Sequence, residues 1–101
     1  KREKNKMGMR FIGSFKKTCS FEDWLKLVDS LKPQMDKHGL KLIFATESED
    51  GTSIYDVGEA ATMEGVQAFL SDPEVRQMRT DAGVDIDSQE VISAVGKFNV
   101  F

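Results

Sequence analysis

Stretches with a two-residue apolar repeat and stretches with helical spacing follow one another along this chain in a single order, and that order leaves very few folds open. Residues 8–15 put Met9, Phe11, Gly13 and Phe15 on one side of an extended strand and Arg10, Ile12 and Ser14 on the other. Ser20, Phe21, Glu22 and Asp23 then open a helix, because Ser20 can accept an amide hydrogen bond and the carboxylates suit the positive first turn. Phe21, Trp24, Leu25, Val28, Leu31 and Met35 continue at helical spacing to Gly39, an expected C-cap. Pro33 lacks an amide hydrogen and is expected to interrupt the last turn. Residues 40–46 and 53–57 read as two strands joined through Asp50 and Gly51, a hairpin signal.

A second helical region begins near Thr62, passes through Met63, Val66, Phe69 and Leu70, and breaks at Ser71, Asp72 and Pro73. There Asp72 can cap and Pro73 can start a new helix, which runs through Val75, Met78 and Arg79 to Ala82 and stops at Gly83. Residues 90–98, rich in Val and Ile, form the last strand. The order β-α-β-β-α-β predicts an α+β, ferredoxin-like protomer: a four-stranded antiparallel sheet with its helices on one face. Ile12, Ile43, Ala45 and Ile54 fall on the parity opposite the aromatic face, which is too apolar for a solvated surface. They are expected to form a homodimer interface, sheet against sheet.

At 101 residues the chain has room for one domain, expected over residues 7–101, with one core. Its net charge of −3 hides an uneven distribution: residues 1–6 are basic, and the remainder carries 10 basic against 16 acidic side chains. A body of net charge −6 is unsuited to a nucleic acid, which needs a clustered positive field. The basic segment is expected to be a disordered leader, with Met7 a candidate first residue of the folded body. No window reaches the ~18 consecutive apolar residues of a membrane span and no apolar signal core follows the basic start, so a cytoplasmic location is expected. One cysteine and one histidine exclude an internal disulfide and a Cys/His zinc site within a chain.

Several phrases carry a family resemblance: Phe21-Glu-Asp-Trp24, Lys37-His38-Gly39, the run from Gly65 through Phe69 and Pro73 to Glu74, then Met78 and Asp81-Ala-Gly-Val84. Through them the chain resembles the dimeric α+β barrel superfamily, and more narrowly its small bacterial and marine members, over most of residues 7–98. That resemblance implies two ferredoxin-like protomers joined sheet to sheet, each with a cavity between sheet and helices. The superfamily includes cofactor-free monooxygenases, isomerases, haem enzymes and members without known activity, so it selects no reaction.

The residues themselves suggest a ligand pocket more than a catalytic motif. Phe11, Phe44 and Tyr55 on strands, opposed by Trp24, Phe69 and Met78 on helices, are expected to line an apolar cavity, with Arg79 near its mouth to hold a carboxylate. Gly13, Gly58 and Gly65 are expected to leave space in it. Such a pocket suits a fatty-acid-like or aromatic molecule and calls for no cofactor. Two alternatives stand beside it: a cofactor-independent monooxygenase or isomerase, with His38 moving a proton, and a structural or partner-binding dimer with a filled core. His38 is the only side chain that ordinarily titrates near neutrality, yet its place before Gly39 is explained by helix termination. Cys19 precedes a helix N-terminus but has no second cysteine, and the carboxylates at 47–50 and 81–87 lack an ordered metal-binding spacing.

Overall fold

The computed structural model describes residues 8–101, so the basic leader expected at residues 1–6 lies outside the described residues. The elements are β1 (Met9–Lys17), α1 (Phe21–Lys37), β2 (Leu40–Glu47), β3 (Ser53–Ala60), α2 (Met63–Ser71), α3 (Pro73–Asp81) and β4 (Val84–Val95). The strands form one antiparallel sheet in the order β2-β3-β1-β4, the ferredoxin-like topology, and the helices pack on one face. No helix among the described residues is long and apolar enough to cross a membrane.

Local chemistry sets the helix ends as expected. Ser20 Oγ accepts the Asp23 amide at 3.0 Å, and Thr62 Oγ1 accepts the Gly65 amide at 3.0 Å. Asp72 closes α2 and caps α3, its Oδ1 accepting the Glu74 amide at 2.9 Å with Pro73 in the first helical position. Pro33 does not interrupt α1, which runs unbroken to Lys37 with His38 as its C-cap. Both Pro33 and Asp29, whose carbonyl loses its helical donor, are exposed, so water can satisfy that carbonyl. Gly39, next in the chain, takes φ +75° and turns it into β2. Leu27 rather than Leu25 faces the core: Leu27 is buried and Leu25 is 46% exposed.

Strand parity is where the structure departs most from expectation. β1 pairs with β3 so that Phe11 faces Gly58, Gly13 faces Asp56 and Phe15 faces Ile54. Directly paired residues share a sheet face, so Ile54, Asp56 and Gly58 point to the helices while Tyr55 and Val57 point away. Ile54, expected at a dimer interface, is a fully buried core residue. Tyr55, expected in the pocket, is 47% exposed on the opposite face. In β2 the register slips between Leu42 and Phe44, and the extra residue reverses the parity beyond it. Phe44 therefore lies on the outer face, paired with Val57, and Ala45 packs against the core instead of joining that face.

β4 begins at Val84, earlier than expected, because Val84, Asp85, Ile86 and Asp87 alternate like any half-buried strand. Its acidic side chains mark a sheet edge. Lys17, at the end of β1, is buried and satisfied: its Nζ donates to the carbonyls of Cys19 (2.7 Å) and Gly51 (2.8 Å) and pairs with Glu47 at 2.9 Å. This ties the β2–β3 turn to the start of α1. In that turn Asp50 is held down to about pKa 2, first by the hydroxyls of Ser48 and Thr52.

The main core joins Phe15, Trp24, Leu27, Leu31, Ile54, Phe69 and Val75. Ile54→Ala and Leu27→Ala should each cost about 2–5 kcal/mol in urea unfolding, and Leu25→Ala less than about 1 kcal/mol. Equal losses at Leu25 and Leu27 would contradict the helix phase described.

Candidate functional site

Between sheet and helices lies a cavity of about 70 Å³. Phe11, Gly13 and Phe15 of β1 form its floor, with Leu40 and Leu42 of β2 beside them. Trp24, Leu27, Leu31 and Met35 of α1 close one wall, and Val66, Phe69 and Leu70 of α2 the other. Phe15 and Trp24 meet as tilted rings with centroids 6.0 Å apart. Of the expected lining residues, Phe11, Trp24, Phe69 and Arg79 do line it. Phe44 and Tyr55 stand on the other face of the sheet, and Met78 packs against the core without reaching the cavity.

Three polar side chains enter this apolar space: Asp56 from β3, Arg79 from α3 and Gln89 from β4. Asp56 and Arg79 are only 8% and 6% exposed. The Asp56 carboxyl lies over Gly13, where a Cβ would come within 2.6 Å of its Oδ1, so the glycine admits the carboxyl rather than leaving a void. Gly58 likewise admits the Phe11 ring, and Gly65 the carbonyl of His38.

The Arg79 guanidinium sits over the Phe15 ring, 4.9 Å from its centroid, and donates to Gln89 Oε1 at 2.6 Å. Among the described residues neither Asp56 nor Arg79 has an ion-pair partner within 4.0 Å. Burial pushes the Asp56 carboxyl up to about 6, and the opposing Arg79 charge and Gly13 amide only partly offset it. Burial pulls Arg79 down to about 10, against the attraction of Asp56, and it remains a cation at neutral pH. The cavity thus holds a carboxyl that changes state near neutrality beside a fixed positive charge.

No family model matches this chain, and no curated protein matches it. Solved structures do. SnoaB, a cofactor-independent oxygenase from Streptomyces nogalater, is 9% identical with a TM-score of 0.56, over 88% of this chain and 94% of that one. A monooxygenase from the gene ActVA-Orf6 of Streptomyces coelicolor, solved with nanaomycin D, is 13% identical with a TM-score of 0.55, over 95% and 93%. Rv0793 from Mycobacterium tuberculosis is 14% identical with a TM-score of 0.55, over 90% and 98%. The chain has the fold of these proteins. The expected ferredoxin-like α+β architecture is therefore established, and at this identity the likeness extends to fold alone.

His38 does not line the cavity. Its Nε2 lies 3.1 Å from Asp72 Oδ2, a contact that ties the end of α1 to the α2–α3 elbow and holds the Asp72 carboxyl below its ordinary range. Cys19 is partly buried against the core, away from His38 at the far end of α1. No three His, Cys, Asp or Glu side chains come together as a metal site among the described residues. Sequence reading missed Asp56 because the inverted β3 parity put it on the outer face, and missed Gln89 because the last strand was expected to begin only at residue 90. The available signal was Gly13: a small residue in the middle of an aromatic strand face marks a close neighbour.

The shifted carboxyl has a stability signature. The Asp56 carboxyl titrates near 3.8 when unfolded and near 6 when folded, so the folded state holds its proton more tightly. Stability from this group is therefore present below pH 4 and lost as pH rises through 6, by up to about 3 kcal/mol. Asp56→Asn should be more stabilising relative to wild type at pH 7.5 than at pH 4 in parallel urea melts. A pH-independent difference would remove the claim that burial dominates this carboxyl.

Proposed function

We propose that the cavity binds a small aromatic molecule bearing an acidic proton and that Asp56 removes that proton, in a reaction of the cofactor-independent oxygenase class. The observation that carries this reading is Asp56 itself, a buried carboxyl raised to about 6 in an aromatic-lined cavity, with no ion-pair partner among the described residues. A base with a pKa near the working pH combines a large ionised fraction with useful basicity. His38, which lies outside the cavity, is not needed for it. The fold likeness to a cofactor-independent oxygenase supports the same class.

The polar groups favour a ring system with an oxygen substituent over a fatty acid, since they meet in one compact space rather than at the end of a channel. At about 70 Å³ the cavity is well below the roughly 300–1,000 Å³ of drug-sized sites, so a ring system enters fully only if its walls part. Met35 and Leu70, flexible side chains in those walls, are the side chains expected to yield.

Anthrone is a suitable probe, an apolar aromatic ketone with an acidic methylene. Asp56 takes one methylene proton, and the carbanion left behind is the electron-rich partner for dioxygen. One oxygen atom becomes the new carbonyl and the other leaves as water with both methylene hydrogens, the carbon supplying all four electrons. Oxygen uptake with formation of anthraquinone should rise through about pH 6 and then level off, and Asp56→Asn should lower it roughly 100-fold or more. Exchange of the methylene protons in heavy water without oxygen uptake would assign proton transfer alone, the isomerase chemistry. Full activity in Asp56→Asn would overturn the assignment of the base.

We also propose that the outer sheet face pairs with a second copy of the chain. Ile92, Ile12, Val57 and Phe44 form a continuous row across all four strands, with Ile92 62% and Phe44 59% exposed and Tyr55 and Ile43 beside it. A second sheet stacked on this row removes apolar surface that water otherwise covers, consistent with the dimeric barrels the sequence resembles. Sedimentation at roughly micromolar concentrations should show a dimer, and Ile12→Glu should weaken it at least roughly 100-fold by burying an unpaired charge. A monomeric wild type would reject this pairing.

A further inference from the structure

Gln89 lies in the larger of two irregularities in the β1–β4 ladder. Ser14 pairs with Glu90 and Lys16 with Asp85, so four residues of β4 stand opposite a single residue of β1. The bulge leaves backbone groups without ladder partners, and side chains take them up: Ser88 Oγ accepts the Lys16 amide at 2.8 Å. Gln89 Nε2 donates to the carbonyl of Ser14 at 3.2 Å and to that of Glu90 at 3.0 Å. Its nitrogen faces two carbonyls, which settles the orientation of the amide and turns Oε1 toward Arg79.

That oxygen accepts from one Arg79 Nη at 2.6 Å, while the Phe15 ring lies beneath the guanidinium. The two contacts hold the cation over β1 and out of ion-pair distance from Asp56, although both line the same cavity. A guanidinium carries five N–H donors, and among the described residues only the bond to Gln89 is made. In this largely apolar, mostly buried setting its other donors are available to an acceptor on a bound ligand.

We propose that Gln89 is a positioning residue that keeps Arg79 ready for an oxyanion, so that the site selects ligands whose charge settles on oxygen once the proton has left, phenols and enolisable ketones, over purely hydrocarbon acids. This rests on the reading of Asp56 as the base. Charge balance gives the reason. Before transfer the cavity holds Asp56 carboxylate and Arg79 cation; afterwards it holds neutral Asp56 and an Arg79–oxyanion pair. The net charge is zero at both stages, and only a proton crosses, from the ligand to Asp56. A direct Asp56–Arg79 ion pair would hold the carboxyl ionised and weaken it as a base, and Gln89 prevents that contact.

The test uses the full chain and two dyes of similar shape, 4-nitrophenol, whose phenolate absorbs separately from the phenol, and 4-nitroanisole, which has no acidic proton. Wild type should bind both and hold bound nitrophenol as phenolate, with its ionisation midpoint at least tenfold lower in proton affinity than in water. Gln89→Met, close in shape, should bind nitroanisole within about twofold of wild type yet lose most of that phenolate preference. Arg79→Gln should lose it completely and carries the test if Gln89→Met does not fold by circular dichroism. In Asp56→Asn the phenolate preference should persist while oxygen uptake with anthrone is lost. Retention of the wild-type preference in Gln89→Met or in Arg79→Gln overturns the proposal. If only the Asp56→Asn result fails, with oxygen uptake unchanged, the base assignment falls and the oxyanion site stands. Failure of both dyes to bind wild type overturns the proposal together with the cavity reading.

Discussion

The pairing of β1 with β3 controls everything that matters about this molecule. By setting Phe15 against Ile54, Gly13 against Asp56 and Phe11 against Gly58, it assigns one face of the sheet to the helices and the other to solvent. A shift of one residue would carry Ile54 out of the core and Asp56 out of the cavity, and would bring Tyr55 and Val57 beneath α1. The pairing is favoured by size: a bulky residue on β1 faces a small one on β3 at Phe11 and Gly58, and Gly13 accommodates Asp56. Packing at interior density tolerates few other combinations.

From that register the candidate site follows by the placement of three polar groups on three elements. Asp56 arrives on a central strand, Arg79 on the last turn of α3 and Gln89 on an edge-strand bulge. None is close to another in sequence. Burial sets their properties: the same desolvation that raises the Asp56 carboxyl lowers the Arg79 guanidinium, and each charge only partly relieves the other. The ring of Phe15, a core residue, serves also as the seat of the cation. Core and site are thus built from the same side chains, as a chain of 101 residues with a single core requires.

The two faces of the sheet divide the labour. The helix face encloses the cavity. The outer face carries a row of apolar side chains from Ile92 to Phe44 whose exposure is unusual for a surface that stays in water. The two are joined through β1, where Ile12 on the outer face lies between Phe11 and Gly13 on the inner one. Burial of the row against another sheet would stiffen the floor of the cavity.

Much of the architecture was legible in the sequence because it rests on short-range physics. Ser20, Thr62 and Asp72 cap the helices they precede, Pro73 starts α3, and the alternation of periods gives the β-α-β-β-α-β order that the structure displays. Phe11, Trp24 and Phe69 could be placed at the cavity from their faces, whereas Arg79, expected near its mouth, is buried inside it over Phe15. What could not be read was parity on β3 and β2, since both sides of these strands carry apolar residues and a periodicity of two does not say which side faces inward. The bulge between Leu42 and Phe44 reverses β2 midway, and the bulge in β4 brings Gln89 to Arg79. Bulges answer to the whole sheet rather than to neighbours in the chain. Capping and periodicity were therefore determined by the sequence itself, whereas the meeting of Asp56, Arg79 and Gln89 was decided only when long-range strand pairing selected one register and desolvated Asp56 and Arg79 together.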